Sequence, residues 1–254
     1  LPNIIFRCKP LMGAQNNMAS KKSLDYNRIE EVFGVRLREP EAARMEKIVE
    51  EFSKGFYFLR SFGLAASFFG STLAKAEDRM YKETTKLASM LAKAGFAIIT
   101  GGGPGIMEAA NKGAVEAGGR SAGINIQLLH KQRANKYVKE SAAFSYLFIR
   151  KVMLAFASEV YIFLPGGFGT LDELFELTAL IQTKKIAPIP IILVGREYWL
   201  PLLVWIEQEL YQKRGAIAKE DMKIYCLVDD AQGAFEYIQQ TVFHKKRNIR
   251  QKST

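Results

Sequence analysis

LPGGFGTLDELFE, Leu164 to Glu176, is the stretch from which the rest of the chain is read. It begins as the apolar run Val160-Tyr161-Ile162-Phe163-Leu164 ends, a short buried strand. Pro165, Gly166, Gly167 and Gly169 then break regular structure and let the backbone turn sharply. After Thr170, residues Leu171, Leu174, Phe175, Leu177 and Thr178 recur at helical spacing. The pattern is strand, tight glycine loop, helix. Its loop N–H groups and helix N-terminus make an anion site suited to a phosphate, with Glu173 in the first turn beside it. The same residues admit a structural reading: Thr170 and Glu173 fit a T-x-x-E capping box. The motif alone leaves both open.

Outward from this stretch, strands and helices alternate. Leu64 to Phe69 is a first strand ending in Gly70-Ser71, and Met80 to Ala94 a helix stopped by Gly95. Phe96 to Thr100 runs into GGGPGIMEAANKGA, Gly101 to Ala114, a second glycine loop that opens a helix. Ser121 to Ile126 is a third strand, and Ser141 to Ser158 reads as a helix leading to Val160. Strands at Ile189 to Val194 and Ile224 to Val228 precede helices at Tyr198 to Tyr211 and Ala231 to Phe243. This order predicts an α/β, Rossmann-like doubly wound parallel sheet with ligands at the carboxyl ends of its strands. Both glycine loops lie there. A helical extension over residues 24–60 precedes it, with a short helix at Tyr26 to Phe33. Pro40 opens the main helix, whose face is Met45, Ile48, Val49, Phe52, Phe56 and Leu59. That face needs a surface to cover, on its own domain or on a second subunit.

The chain has 254 residues, 48% of them hydrophobic, which suits a single domain over residues 24–244. The net charge of +10 invites a nucleic-acid hypothesis, but its location argues otherwise. Arg7, Lys9, Lys21 and Lys22 give residues 1–23 a charge of +4, and five cations give residues 245–254 +5. That leaves +1 for the body, so the basic excess reads as two solvated tails and no specific nucleic-acid partner is expected. No apolar run reaches the roughly 18 residues of a membrane span. Leu1 to Phe6 is too short for a signal-peptide core, and Cys8 and Cys226 form no disulfide framework, so a cytoplasmic location is expected. The second loop is not a dinucleotide fingerprint: Ile106 stands where the third glycine belongs, and the next strand carries no acid. P-loop and G-x-S-x-G motifs are absent, and His130 and His244 lie far from either cysteine. No metal or organic cofactor is implied. The two loops fit one phosphorylated ligand better, one holding its phosphate and the other approaching its sugar or base.

Arg150 is the second informative residue. Its helical neighbours are Tyr146, Leu147, Met153 and Leu154, an apolar setting for a guanidinium. It must snorkel to solvent or find a partner: a structural acid, a ligand phosphate or a site carboxylate.

GGGPGIMEAANKGA, the Arg150-Lys151 pair and PGGFGTLDE, in this order, resemble the LONELY GUY family. Its members are cytokinin riboside 5'-monophosphate phosphoribohydrolases and related nucleotide hydrolases, and bacterial members are often labelled lysine decarboxylases. The similarity runs from about Leu64 to Val194, and the N-terminal extension resembles the longer bacterial type. The resemblance implies Arg150 and Glu173 as catalytic residues. It implies a substrate site from Gly70, Ser71, Gly102, Gly103, Gly105, Lys151, Gly166, Gly167, Phe168, Gly169, Thr170, Leu171, Asp172 and Thr178. It also implies a nucleoside 5'-monophosphate substrate, a place in cytokinin biosynthesis, and a homo-oligomer, dimer or larger. Members often carry a glutamate in a Pro-x-Glu-Gln context after the third strand; here Leu129-His130-Lys131-Gln132 has no acid, which bears on base or sugar selectivity. The reaction expected is hydrolysis of the N-glycosidic bond, with Glu173 stabilising an oxocarbenium-like C1' and activating water, and Arg150 keeping Glu173 ionised. Two other classes stay open: a nucleotide or molybdenum-cofactor carrier without chemistry, and a pyridoxal-phosphate decarboxylase, for which no lysine is marked.

Overall fold

The computed structural model describes residues 41–127 and 134–243. The strands are β1 (Ala65–Phe69), β2 (Ala97–Thr100), β3 (Ser121–Ile126), β4 (Glu140–Phe144), β5 (Val160–Phe163), β6 (Ile191–Val194) and β7 (Tyr225–Val228). The helices are α1 (Glu41–Leu59), α2 (Arg79–Lys93), α3 (Ile106–Glu116), α4 (Leu147–Ala155), α5 (Phe168–Gln182), α6 (Arg196–Trp205) and α7 (Ala231–Ile238). Among the described residues the seven strands form one sheet, β4-β3-β2-β1-β5-β6-β7, and every pairing is parallel. This is the expected Rossmann-like α/β architecture.

The central strands AASFF, AIIT, VYIF and IILV are buried throughout, because helices cover both faces of the sheet. Alternate side chains feed two cores. Phe69, Ile99, Tyr161, Phe163 and Leu193 meet Ile149 and Met153 of α4, Leu174 and Leu177 of α5, and Trp199 of α6. Phe68, Ile98, Ile162 and Ile192 meet Leu87 and Leu91 of α2, Ile106 and Ala110 of α3, and Ala234 and Ile238 of α7.

Three expectations change. The helix predicted over Ser141 to Ser158 is a strand followed by a shorter helix: Glu140–Phe144 pairs with β3 as an edge strand, and α4 begins only at Leu147. Ala142 and Ala143 carry no β preference of their own. What holds them is the β3 ladder and the two-point ion pair of Arg120 with Glu140 at 2.9 and 2.6 Å. The expected helix at Tyr198 to Tyr211 is α6 continued by a π-helical segment, Ile206–Lys213, and α7 likewise passes into Gln239–Phe243. The face of α1 divides. Ile48, Phe52 and Leu59 pack on the chain's own core, whereas Val49 and Phe56 stay exposed. The readings of residues 1–23, Tyr26 to Phe33 and the 245–254 tail lie outside the described residues.

The sheet order positions the site. From central β1 the chain winds outward through β2, β3 and β4, then returns to lay β5 against the other side of β1. Such a reversal opens a crevice between the carboxyl ends of β1 and β5. Gly70-Ser71 and the Pro165-to-Gly169 loop both emerge there, joined by the Ser71 N–H donating to the Pro165 carbonyl at 3.0 Å.

Candidate active site

The loop after β5 is built for close approach. A Cβ on Gly166 would stand 2.1 Å from Thr170 Oγ1, so only glycine lets that buried threonine close over the turn. Gly167 and Gly169 face open space, with no atom within 4 Å of where a Cβ would be. Tyr198 of α6 donates its hydroxyl to the Gly166 carbonyl at 2.6 Å, fixing the loop from outside. Helix α5 starts at Phe168, its N-cap is Gly167, and no side chain caps it. Thr170 is therefore the third residue of the helix and Glu173 lies in its second turn. The capping-box reading fails, because the helix starts three residues earlier than that reading requires. Glu173 has no capping role, and no side chain occupies the helix N-terminus, where an anion is favoured. Phe168, 92% exposed, stands at the tip.

The second loop packs against the turn that follows β1. A Cβ on Gly70 would stand 2.6 Å from Ile106 Cγ2. Gly105 has φ +69°, and a Cβ there would come within 2.3 Å of the Ser71 carbonyl, which accepts the Ile106 N–H at 2.9 Å. Gly102 has φ +74° and lies under Asn125 Oδ1, a buried acceptor without a hydrogen-bond partner among the described residues. The Gly103 carbonyl accepts from Asn135 Nδ2 at 2.9 Å. Behind the loop, Asn111 Oδ1 accepts from Thr100 and Asn135, while its Nδ2 donates to Ser121 Oγ and the Ala122 carbonyl. Asn111, Asn125, Asn135 and Tyr198 were not singled out from sequence. Asn111 lies inside the quoted glycine motif, but its partners stand up to 24 residues away.

Arg150 and Lys151 on α4 bring positive charge to both loops. The Arg150 guanidinium donates from Nε to the Ile124 carbonyl at 3.2 Å and lies over Gly101, where a Cβ would stand 2.4 Å from Nη2. Burial lowers its pKa and the Glu173 charge opposes that shift. Lys151 Nζ pairs with Asp172, with Glu176 at 2.8 Å and with Glu173 at 3.9 Å. Burial pulls the Lys151 pKa down, but the Asp172 and Glu176 hydrogen bonds more than offset it, and the net shift is upward. Glu176 is a further member that the sequence did not reveal.

Glu173 is the deepest acid of this cluster, 6% exposed on α5. Burial pushes its pKa up to about 7, against the opposing pull of Lys151 and Arg150. Arg150 was expected to keep Glu173 ionised; desolvation outweighs both cations, and the carboxyl titrates near neutrality. A buried carboxyl that exchanges its proton near pH 7 is suited to general acid–base work.

Thr178 stands apart from these groups. It lies five residues beyond Glu173, about 140° around the helix at 3.6 residues per turn. Its hydroxyl donates to the Leu174 carbonyl at 2.7 Å, and it lines a cavity of about 270 Å³ with Phe175, Leu203, Ile206 and Tyr225. Leu171 packs on the core, and Asp172 is exposed beside Lys151. The Leu129-to-Gln132 stretch lies outside the described residues. Among the described residues no group of three or more His, Cys, Asp or Glu is placed to hold a metal ion. No helix among them is long and apolar enough to cross a membrane.

Comparison with known proteins places this geometry among relatives. The family model described as "Possible lysine decarboxylase" matches residues 107–238. The chain is 36% identical over 118 residues to the cytokinin riboside 5'-monophosphate phosphoribohydrolase LOG5 of Arabidopsis thaliana, covering 45% of this chain and 51% of that one. It is 33% identical over 146 residues to the probable enzyme LOGL2 of Oryza sativa subsp. japonica, covering 56% and 58%. The chain thus spans about half the length of these curated relatives. Among solved structures, the molybdenum cofactor binding protein of Rippkaea orientalis matches with TM-score 0.53 and 22% identity, over 70% of this chain and 96% of that one. That likeness is one of fold.

Proposed function

The chain belongs to the LONELY GUY family, whose model carries the description possible lysine decarboxylase, and on that premise we propose that it hydrolyses the N-glycosidic bond of a nucleoside 5'-monophosphate. The products are a free base and ribose 5-phosphate, and the substrate is of the cytokinin riboside monophosphate or AMP type. The observation that carries this reading is Glu173: a buried carboxyl with no capping role, titrating near 7 between two cations and two glycine loops. A protein that only carried a nucleotide would gain nothing from keeping it there, since its ionised form is disfavoured by burial.

In the proposed mechanism, the phosphate sits on the N–H groups of Gly167, Phe168 and Gly169, and its binding energy positions the ribose. As the bond from C1' to the base nitrogen breaks, positive charge develops on the sugar. Ionised Glu173 faces that charge and takes a proton from the attacking water as its oxygen bonds to C1'. The proton then passes to the departing base. Arg150, lying over Gly101, holds the substrate. Lys151 keeps Asp172 and Glu176 neutralised, so that they do not raise Glu173 further.

The test is a panel of nucleoside monophosphates assayed for free base across pH. Base release is expected from at least one of them, with kcat/KM rising with pH around a midpoint near 7, because the base must be ionised to act. Tight binding without release from any member would leave a nucleotide or molybdenum-cofactor carrier as the reading.

We also propose that the chain works as a homo-oligomer, a dimer or larger. Support comes from the exposed apolar face formed by Val49 and Phe56 of α1 with Phe148 and Phe156 at α4, whose rings lie about 6.4 Å apart in pairs with Phe52 and Phe56. Light scattering on the pure chain is expected to return at least twice the 28.6 kDa of one chain; a monomeric mass would reject this.

A further inference from the structure

Helix α4, which carries Arg150 and Lys151, has no cap of its own. Its N-cap is Tyr146, whose side chain makes no capping bond. N-caps are ordinarily Ser, Thr, Asp or Asn, whose side-chain oxygen satisfies one of the orphan N–H groups. Here a carboxylate from far along the chain instead takes the N–H groups at and just before the N-cap. Glu51 Oε1 accepts the Ser145 N–H at 2.8 Å, and Oε2 accepts the Tyr146 N–H at 3.3 Å. Glu51 lies 94 residues before Ser145, on α1, and is only 8% exposed. Burying a carboxylate is costly unless it is hydrogen-bonded, and a helix N-terminus is where its negative charge is favoured. The bond continues into the helix: the Tyr146 carbonyl accepts the Arg150 N–H at 3.1 Å. Glu51 is therefore linked to the backbone of Arg150 through one residue, Tyr146.

We propose that Glu51 is a positioning residue: its carboxylate, reaching from α1, sets the start of α4 and hence where Arg150 and Lys151 present their charges. Two contacts fix it in turn. Ile48 and Phe52 seat α1 on the core. Ser145 Oγ donates to Gln127 Oε1 at 3.1 Å, tying the same turn to the end of β3. The helix ahead of β1 is thus part of the site's framework rather than an appendage. The effect on rate rests on the hydrolase reading; the effect on the helix does not.

The test compares Glu51→Ala and Glu51→Gln with Ile48→Ala, which weakens the seating of the same helix without touching the cap. Hydrogen exchange over residues 145–155 and steady-state kinetics are measured at a temperature where all variants are folded. Glu51→Ala is expected to speed exchange at this segment beyond Ile48→Ala. It should also lower kcat by about 10²-fold, the cost of a misplacement near 1 Å in a catalytic group, with KM changed much less. Glu51→Gln keeps one acceptor oxygen and is expected to recover about tenfold of that loss. If Glu51→Ala does not fold, Glu51→Gln carries the test with the same readouts. Exchange no faster than in Ile48→Ala, or kcat within twofold of it, overturns the proposal. A wild type that releases no base rejects the hydrolase reading instead, and the exchange result then decides the cap by itself.

Discussion

Glu173→Gln is expected to lower turnover by about 10²–10⁴-fold, the usual worth of a general acid–base group, while making the chain more stable above pH 7. The two effects share one cause. Burial raises the Glu173 pKa from 4.5 to about 7, so the folded state disfavours its ionised form. A carboxyl whose pKa is higher folded than unfolded stabilises the fold fully below about pH 4.5, and that contribution is lost as pH rises through about 7. At 1.36 kcal/mol per unit, the cost at pH 8 is on the order of 3 kcal/mol. Glutamine has no charge to bury, so the variant escapes this cost. In a chain of this size each kcal/mol moves Tm by roughly 2–4 °C. The expected result is a Tm several degrees above wild type at pH 8, little difference at pH 5, and nucleotide affinity retained because the loop N–H groups are untouched. Calorimetry at the two pH values beside the rate checks it. Unchanged rate removes Glu173 from the chemistry; a Tm that falls at pH 8 means that Lys151 and Arg150 need its charge more than burial opposes it.

The second large effect is a preference for phosphate. A nucleoside 5'-monophosphate is expected to be cleaved at least 10³-fold faster, in kcat/KM, than its nucleoside. Hydrogen bonds to a charged group contribute about 1.5–3 kcal/mol each, so two or three loop N–H groups supply that factor, about 1.4 kcal/mol per tenfold. Binding energy from a part of the substrate that does not react also orients the ribose against Glu173, so kcat should fall along with affinity when the phosphate is missing. AMP and adenosine, compared under identical conditions, give the answer. Equal rates on the two would mean that the Gly166-to-Thr170 loop does not anchor the substrate.

What the sequence by itself determined was whatever depends on neighbours in the chain. Short apolar runs and period-3.6 patterns marked six strands and most helices, and glycines after Phe69, Thr100 and Leu164 marked the turns at their carboxyl ends. Local order therefore yielded the fold class, the ends of the sheet where the loops cluster, and the family. The tertiary structure decided what depends on distant partners. Strand β4 exists because β3 offers its ladder; alone, Ser141 to Phe144 favours helix at least as much. Helix α5 begins at Phe168, which removed the capping reading of Glu173. Burial at the end of a sheet set the Glu173 pKa, and no residue pattern encodes the dielectric around a carboxyl. Thr178 lines a cavity together with Leu203 and Ile206, neighbours that only the closed fold brings beside α5. Glu51 reached Ser145 and Tyr146 across 94 residues because α1 packs on α4, a contact that arises only when the chain closes on itself.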